Sequence, residues 1–150
     1  MKLSVGIITY NEEQIIARTI DSVKNIADEI VIIDSNSTDK TVEIAKSKGA
    51  KVITQSWLGY GKQKNFMIDN CSGEWILSID ADEIISEELA VEISEEIAKE
   101  NNTVEVYELR EKVVCFGKLI KHGGFSGRYK TKLFKKCEDR FSNLEVHEYY

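Results

Sequence analysis

Along the first eighty positions, apolar residues come in short runs that alternate with mixed segments at helical spacing. Runs of about four to seven residues, mostly apolar and bounded by turn residues, predict strands buried on both faces of a sheet. Leu3–Thr9, Glu29–Ile33 ending at Asp34 and a run closing at Asp80 fit that pattern, and Lys51–Thr54 reads as a short third strand. Between them, Ile16, Ile20, Val23 and Ala27 recur every three or four residues and predict a helix with one apolar stripe. Asn11 followed by Gln14 reads as the capping box of that helix. A second helix is expected from about Asp39 to Lys48, stopped by Gly49, and a third from Gly61 to about Asn70. Strand and helix alternating with short joints predict a mainly parallel sheet with right-handed crossovers.

The pattern changes after Asp82. Ile84 to about Asn101 predicts an acidic amphipathic helix whose Leu89, Ile93 and Ile97 face a core. Val104–Val114 predicts extended strands and Lys132–Phe134 a further one, with Gly117–Gly127 as a loop. No repeat or low-complexity linker divides the 150 residues, so a single domain over 1–150 is expected.

Charge sharpens this picture. The net charge is −6, yet ten Lys/Arg stand against three Asp/Glu between Arg110 and Arg140, so the rest of the chain is strongly acidic. The basic segment suits an anionic substrate or the surface of an anionic membrane. Nucleic acid is disfavoured by the negative overall field and the lack of a binding motif. Three cysteines at wide spacing, Cys71, Cys115 and Cys137, predict free thiols in a reducing compartment rather than a zinc site or a disulfide framework. With no apolar run of membrane-spanning length and no signal-peptide pattern, a cytoplasmic location is expected.

Ligands of parallel sheets gather at the carboxyl ends of the strands. The polar residues there are Thr9-Tyr10-Asn11-Glu12, Asp34-Ser35 and Asp80-Ala81-Asp82. Two carboxylates two residues apart repel unless a cation accompanies them. Hard ions such as Mg²⁺ or Mn²⁺ accept such oxygen ligands and bring phosphates with them. The first turn contains neither a Gly-x-Gly-x-x-Gly nor a Walker sequence, which disfavours nicotinamide and P-loop chemistry. A metal–diphosphate site is the reading that remains.

Val5–Glu13, Ile32–Thr41 and Ile79–Glu83, in that order, resemble family 2 glycosyltransferases. Phe116–Phe125, Lys132–Lys136 and Val146–Glu148 are similar to the branch adding β-linked glucose to the lipopolysaccharide inner core. The resemblance implies a GT-A fold, a Rossmann-like α/β three-layer sandwich. Members of that branch usually continue beyond a point equivalent to Tyr150, so a domain shortened at its C-terminus is expected. It implies an inverting hexosyltransferase moving a sugar, glucose by this likeness, from a UDP-sugar to a hydroxyl of a lipopolysaccharide-core, lipid-linked or other glycan. For such an acceptor, the basic segment suits peripheral contact with the inner face of the cell membrane, where lipid-linked glycans lie.

Carried onto this sequence, the resemblance sets Thr9, Tyr10 and Glu12 against the uridine, with Asp34 at the uracil ring and Lys64 near the nucleotide. Asp80 would contact ribose or metal, and Asp82 would bind a Mg²⁺ or Mn²⁺ bridging both phosphates. Glu148 would be the general base, with His147 beside it. Arg128, Lys130 and Lys132 are candidates for an acidic or phosphorylated acceptor, while Trp57 and Tyr60 are expected to fill a loop against the core in preference to lining the nucleotide pocket. Two other readings stay open: a non-catalytic nucleotide-sugar-binding or scaffold domain, and a phosphohydrolase of the haloacid dehalogenase type. The second is disfavoured, because its nucleophilic Asp belongs on the first strand, which here ends in Thr9-Tyr10-Asn11.

Overall fold

A computed structural model describes residues 3–100, 102–120, 127–137 and 141. Six strands form one sheet in the order β3-β2-β1-β4-β8-β5. Strands β1 (Leu3–Thr9), β2 (Glu29–Asp34), β3 (Lys51–Thr54) and β4 (Trp75–Asp80) are mutually parallel, as their apolar runs predict. β8 (Tyr129–Lys135) runs against β4 on one side and β5 (Val106–Arg110) on the other. A separate two-stranded hairpin, β6 (Val114–Cys115) and β7 (Lys118–Leu119), occupies part of the expected 117–127 loop.

Helices cover both faces. α1 (Ile16–Val23), α2 (Thr41–Ser47) and α4 (Glu87–Ile97) pack with Val5, Ile7, Trp75 and Leu77 into the larger core. α3 (Tyr60–Asn70) lies on the other face, over Ile8, Val31, Ile33 and Ile76. The result is the expected α/β three-layer sandwich with a largely parallel centre. Because β2 and β4 flank β1 on opposite sides, the chain changes winding direction there. This topological switch point is where such sheets bind ligands.

One glycine sets the spacing of the α3 layer. A Cβ on Gly6 would lie 1.8 Å from Met67 Sδ, and Met67 is fully buried. The missing side chain is what lets the helix approach β1. Gly6→Ala should force Met67 into another rotamer inside a filled core, costing about 1–3 kcal/mol by urea denaturation. An unchanged midpoint would show that the layer is looser than its packing implies.

Two expectations about local structure need correction. Asn11 does not cap α1, which begins five residues later with no side-chain cap at all. Its backbone takes a left-handed φ of 54°, and its Oδ1 accepts instead from Thr38 N at 2.8 Å. Trp57 and Tyr60 do not fill the core either. Both are exposed and meet edge to face, 4.8 Å between centroids.

Candidate functional site

The loops after β1 and β2 are laced together by hydrogen bonds at the carboxyl edge. Asn11 N donates to Ser37 Oγ at 2.8 Å, Glu12 N to Thr41 Oγ1 at 2.7 Å, and Lys40 N to Glu13 Oε2 at 2.9 Å. Asp34 is buried and accepts from Ser37 N at 2.9 Å and from Ser37 Oγ at 2.5 Å. It therefore holds the second loop in its turn as well as facing the edge. Thr9 is buried beside it, its carbonyl accepting from Ser35 N at 2.9 Å. Tyr10 is exposed.

Gln63, which the sequence did not single out, ties α3 to this edge. Fully buried, it donates from Nε2 to Ser35 Oγ at 3.1 Å and to the Gln55 carbonyl at 3.3 Å. Two buried oxygens here, Thr9 Oγ1 and Gln63 Oε1, have no hydrogen-bond partner among the described residues. Buried polar atoms without partners are uncommon and costly in a folded protein.

The end of β4 carries a cluster of charge. Lys64 Nζ stands 3.2 Å from Asp80 Oδ1, and Lys132 Nζ stands 3.4 Å from Asp80 Oδ2. Lys132 also donates to both carboxylate oxygens of Glu83, at 2.8 and 2.7 Å, while Glu83 Oε2 accepts from Asp80 N at 2.8 Å. Burial alone would raise the Asp80 pKa. The Lys132 and Lys64 ammoniums outweigh it and hold the carboxyl below its ordinary range. Glu83 goes the other way, raised by burial and by the charge of Asp80 despite its bonds to Lys132.

Lys132 is thus not displayed toward an acceptor, as the sequence suggested. It is buried and inward-facing, and Lys130 is held at 2.9 Å by Glu111. The antiparallel pairing of β8 explains this. Leu133 pairs with Leu77, so the start of β8 lies beside the carboxyl end of β4, where a lysine meets carboxylates.

Asp82 lies beyond this cluster and is exposed. Across from it, burial and then the negative charges of Asp82 and Asp39 raise the Glu12 pKa. Excess negative potential on two adjacent loops favours a cation. Among the described residues, no three His, Cys, Asp or Glu side chains assemble into a metal cage. That donor set still fits Mg²⁺ or Mn²⁺ of the kind that takes one or two carboxylates and completes its shell with water and phosphate. Asp82 is the carboxylate open to it, since both oxygens of Asp80 already face ammoniums. Glu148 and His147 lie outside the described residues.

The match to a family model, glycosyl transferase family 2, runs over residues 4–148 and takes in every strand of the sheet and each of these loops. The chain belongs to that family. Among family 2 relatives, it is similar to an uncharacterized glycosyltransferase, RT0209, of Rickettsia typhi, 55% identical over 67% of this chain and 34% of the relative. It is also similar to the lipopolysaccharide core biosynthesis glycosyltransferase LpsC of Rhizobium meliloti, 36% identical over 69% of this chain and 40% of that one. Glucosyl-3-phosphoglycerate synthase of Mycobacterium tuberculosis, in complex with uridine diphosphate, superposes with a TM-score of 0.58. It is 27% identical over 70% of this chain and 42% of that chain. The chain thus spans about a third of the length of the first curated relatives it matches.

Proposed function

We propose that this family 2 chain binds a UDP-sugar at the carboxyl ends of β1, β2 and β4 and transfers the sugar, with inversion, to a glycan hydroxyl. The observation that carries the reading is the convergence of Thr9, Asp34 and Asp80 on the switch point, next to an exposed Asp82. Thr9, Tyr10 and Glu12 would line the uridine side, with Asp34 at the base. Thr9 Oγ1 would gain there the hydrogen bond it lacks. Lys64 and Asp80 would stand at the ribose and diphosphate. Asp82 would hold Mg²⁺ or Mn²⁺, which when bound offsets the charge of the departing diphosphate.

Transfer with inversion needs a base within hydrogen-bond reach of the attacking hydroxyl. Glu148, with His147 beside it, is our assignment for that role. The likeness to LpsC supports a lipopolysaccharide-core or lipid-linked glycan as acceptor, and the synthase's glucosyl product supports glucose as the sugar.

Calorimetric titration of UDP with and without Mn²⁺, and of GDP as control, tests the donor site. UDP should bind more tightly with metal, and GDP weakly or not at all. Equal binding of both nucleotides, or of neither, would remove the assignment. Metal-dependent UDP binding without sugar transfer would favour a nucleotide-sugar-binding domain instead.

A further inference from the structure

We propose that the β6–β7 hairpin is a membrane-docking element that inserts Phe116 into the interfacial region of an anionic bilayer. The backbone supplies the first argument. Phe116 and the next residue, Gly117, have φ values of 49° and 72°, the signs at both central positions of a type I′ turn. Asn-Gly meets that demand readily, whereas a bulky residue with positive φ is strained. The turn therefore gains nothing from phenylalanine.

Packing supplies the second argument. Phe116 is 101% exposed, and Val114 and Leu119, paired across the hairpin, are 64% and 45% exposed. None of the three joins either core cluster. Among the described residues the hairpin pairs only with itself, apart from the six-stranded sheet. Its apolar atoms contribute little to the fold, and water is their poorest surrounding.

The chemistry around the tip selects the partner. Lys112 and Lys118 are exposed on the two arms behind it, an arrangement in which apolar groups enter the acyl boundary while ammoniums stay with lipid phosphates. Glu88 of α4 lies within the field of Lys112. A stable protein partner needs about 800 Å² of matched surface per side. A convex tip of four residues offers far less, whereas a bilayer demands no shape match.

Position gives the element its use. β5 ends at Arg110, beside Tyr129 at the start of β8, and Glu111 Oε1 lies 3.9 Å from Lys132 Nζ. The hairpin thus leaves the same edge that carries Asp80, and docking it would turn that edge toward the lipid surface. The inference is independent of which sugar nucleotide, if any, the site takes.

Co-sedimentation of the 150-residue chain with vesicles tests it, using phosphatidylglycerol mixed into phosphatidylcholine and phosphatidylcholine alone. The wild type should prefer the anionic vesicles and lose affinity as salt is added. Phe116→Asn relieves the turn, so an unchanged melting temperature with about tenfold or greater loss of vesicle affinity is expected. Lys118→Ser should weaken only the anionic preference. Absence of wild-type binding, or undiminished binding by Phe116→Asn, would overturn the proposal. The second result would assign attachment to the basic surface alone.

Discussion

Replacing Lys132 with methionine is expected to cost about 3 kcal/mol of stability, the low end of the range for breaking a buried ion pair from one side. The low end applies because the Asp80 and Glu83 side chains keep 33% and 25% of their surface, so water can partly solvate the stranded carboxylates. Methionine fills the space of the lysine stem but leaves Asp80, Glu83 and Glu111 facing one another with Lys64 and Lys130 as the remaining cations. Lys132→Arg should recover most of the loss. Adding Glu83→Gln to Lys132→Met should recover part of it, because one of the abandoned charges is then gone. Urea denaturation of the three variants measures this. Equal stability of Lys132→Met and wild type would mean that the cluster is only a surface ion pair, worth about 0–1 kcal/mol.

That lysine also marks where sequence reading stops. β1, β2 and β4 fall where their apolar runs place them, since a parallel strand covered on both faces carries its own signal whatever its neighbours. Their ends locate Thr9, Asp34 and Asp80 without further information. Lys132 has no such local signal. In sequence it is one of several lysines in a basic stretch, and only the insertion of β8 between β4 and β5 brings it to Asp80, 52 residues away. Asn11 illustrates the same limit in reverse. A local capping rule fits it, yet the donor it satisfies is Thr38 N, 27 residues on. The hairpin was missed for a third reason: its turn holds Phe-Gly, which lacks the Asn-Gly or Asp-Gly signature that announces such a turn.

Gln63 could have been found in part. It stands near the start of a helix that follows an exposed aromatic loop, and polar residues at the edge of a parallel sheet are suspect on topology alone. Its full burial, and the oxygen it leaves without a partner, follow only from the contact with Ser35. Both features of the carboxyl edge that the sequence concealed, the lysine clamp on Asp80 and the link from α3 to the loop after β2, are contacts between elements distant along the chain.

Asp82→Ala should lower sugar transfer by about 10²–10³-fold, the scale on which removal of a single group stabilising transition-state charge is felt. The stabilising effect of Mn²⁺ on UDP binding should vanish with it. The fold should be untouched, because Asp82 is exposed and surface substitutions of this kind change stability by about 0.5 kcal/mol or less. Loss of its repulsion toward Glu12 works, if anything, in favour of the folded state. Asp80→Ala provides the contrast. It leaves Lys64 and Lys132, both buried, without the carboxylate they share, so it should lose stability as well as nucleotide affinity. Two acidic residues on one turn should thus separate by readout: Asp82→Ala in metal-dependent binding and transfer alone, Asp80→Ala in folding too. Full transfer by Asp82→Ala, or melting as depressed as that of Asp80→Ala, would remove Asp82 from the metal site.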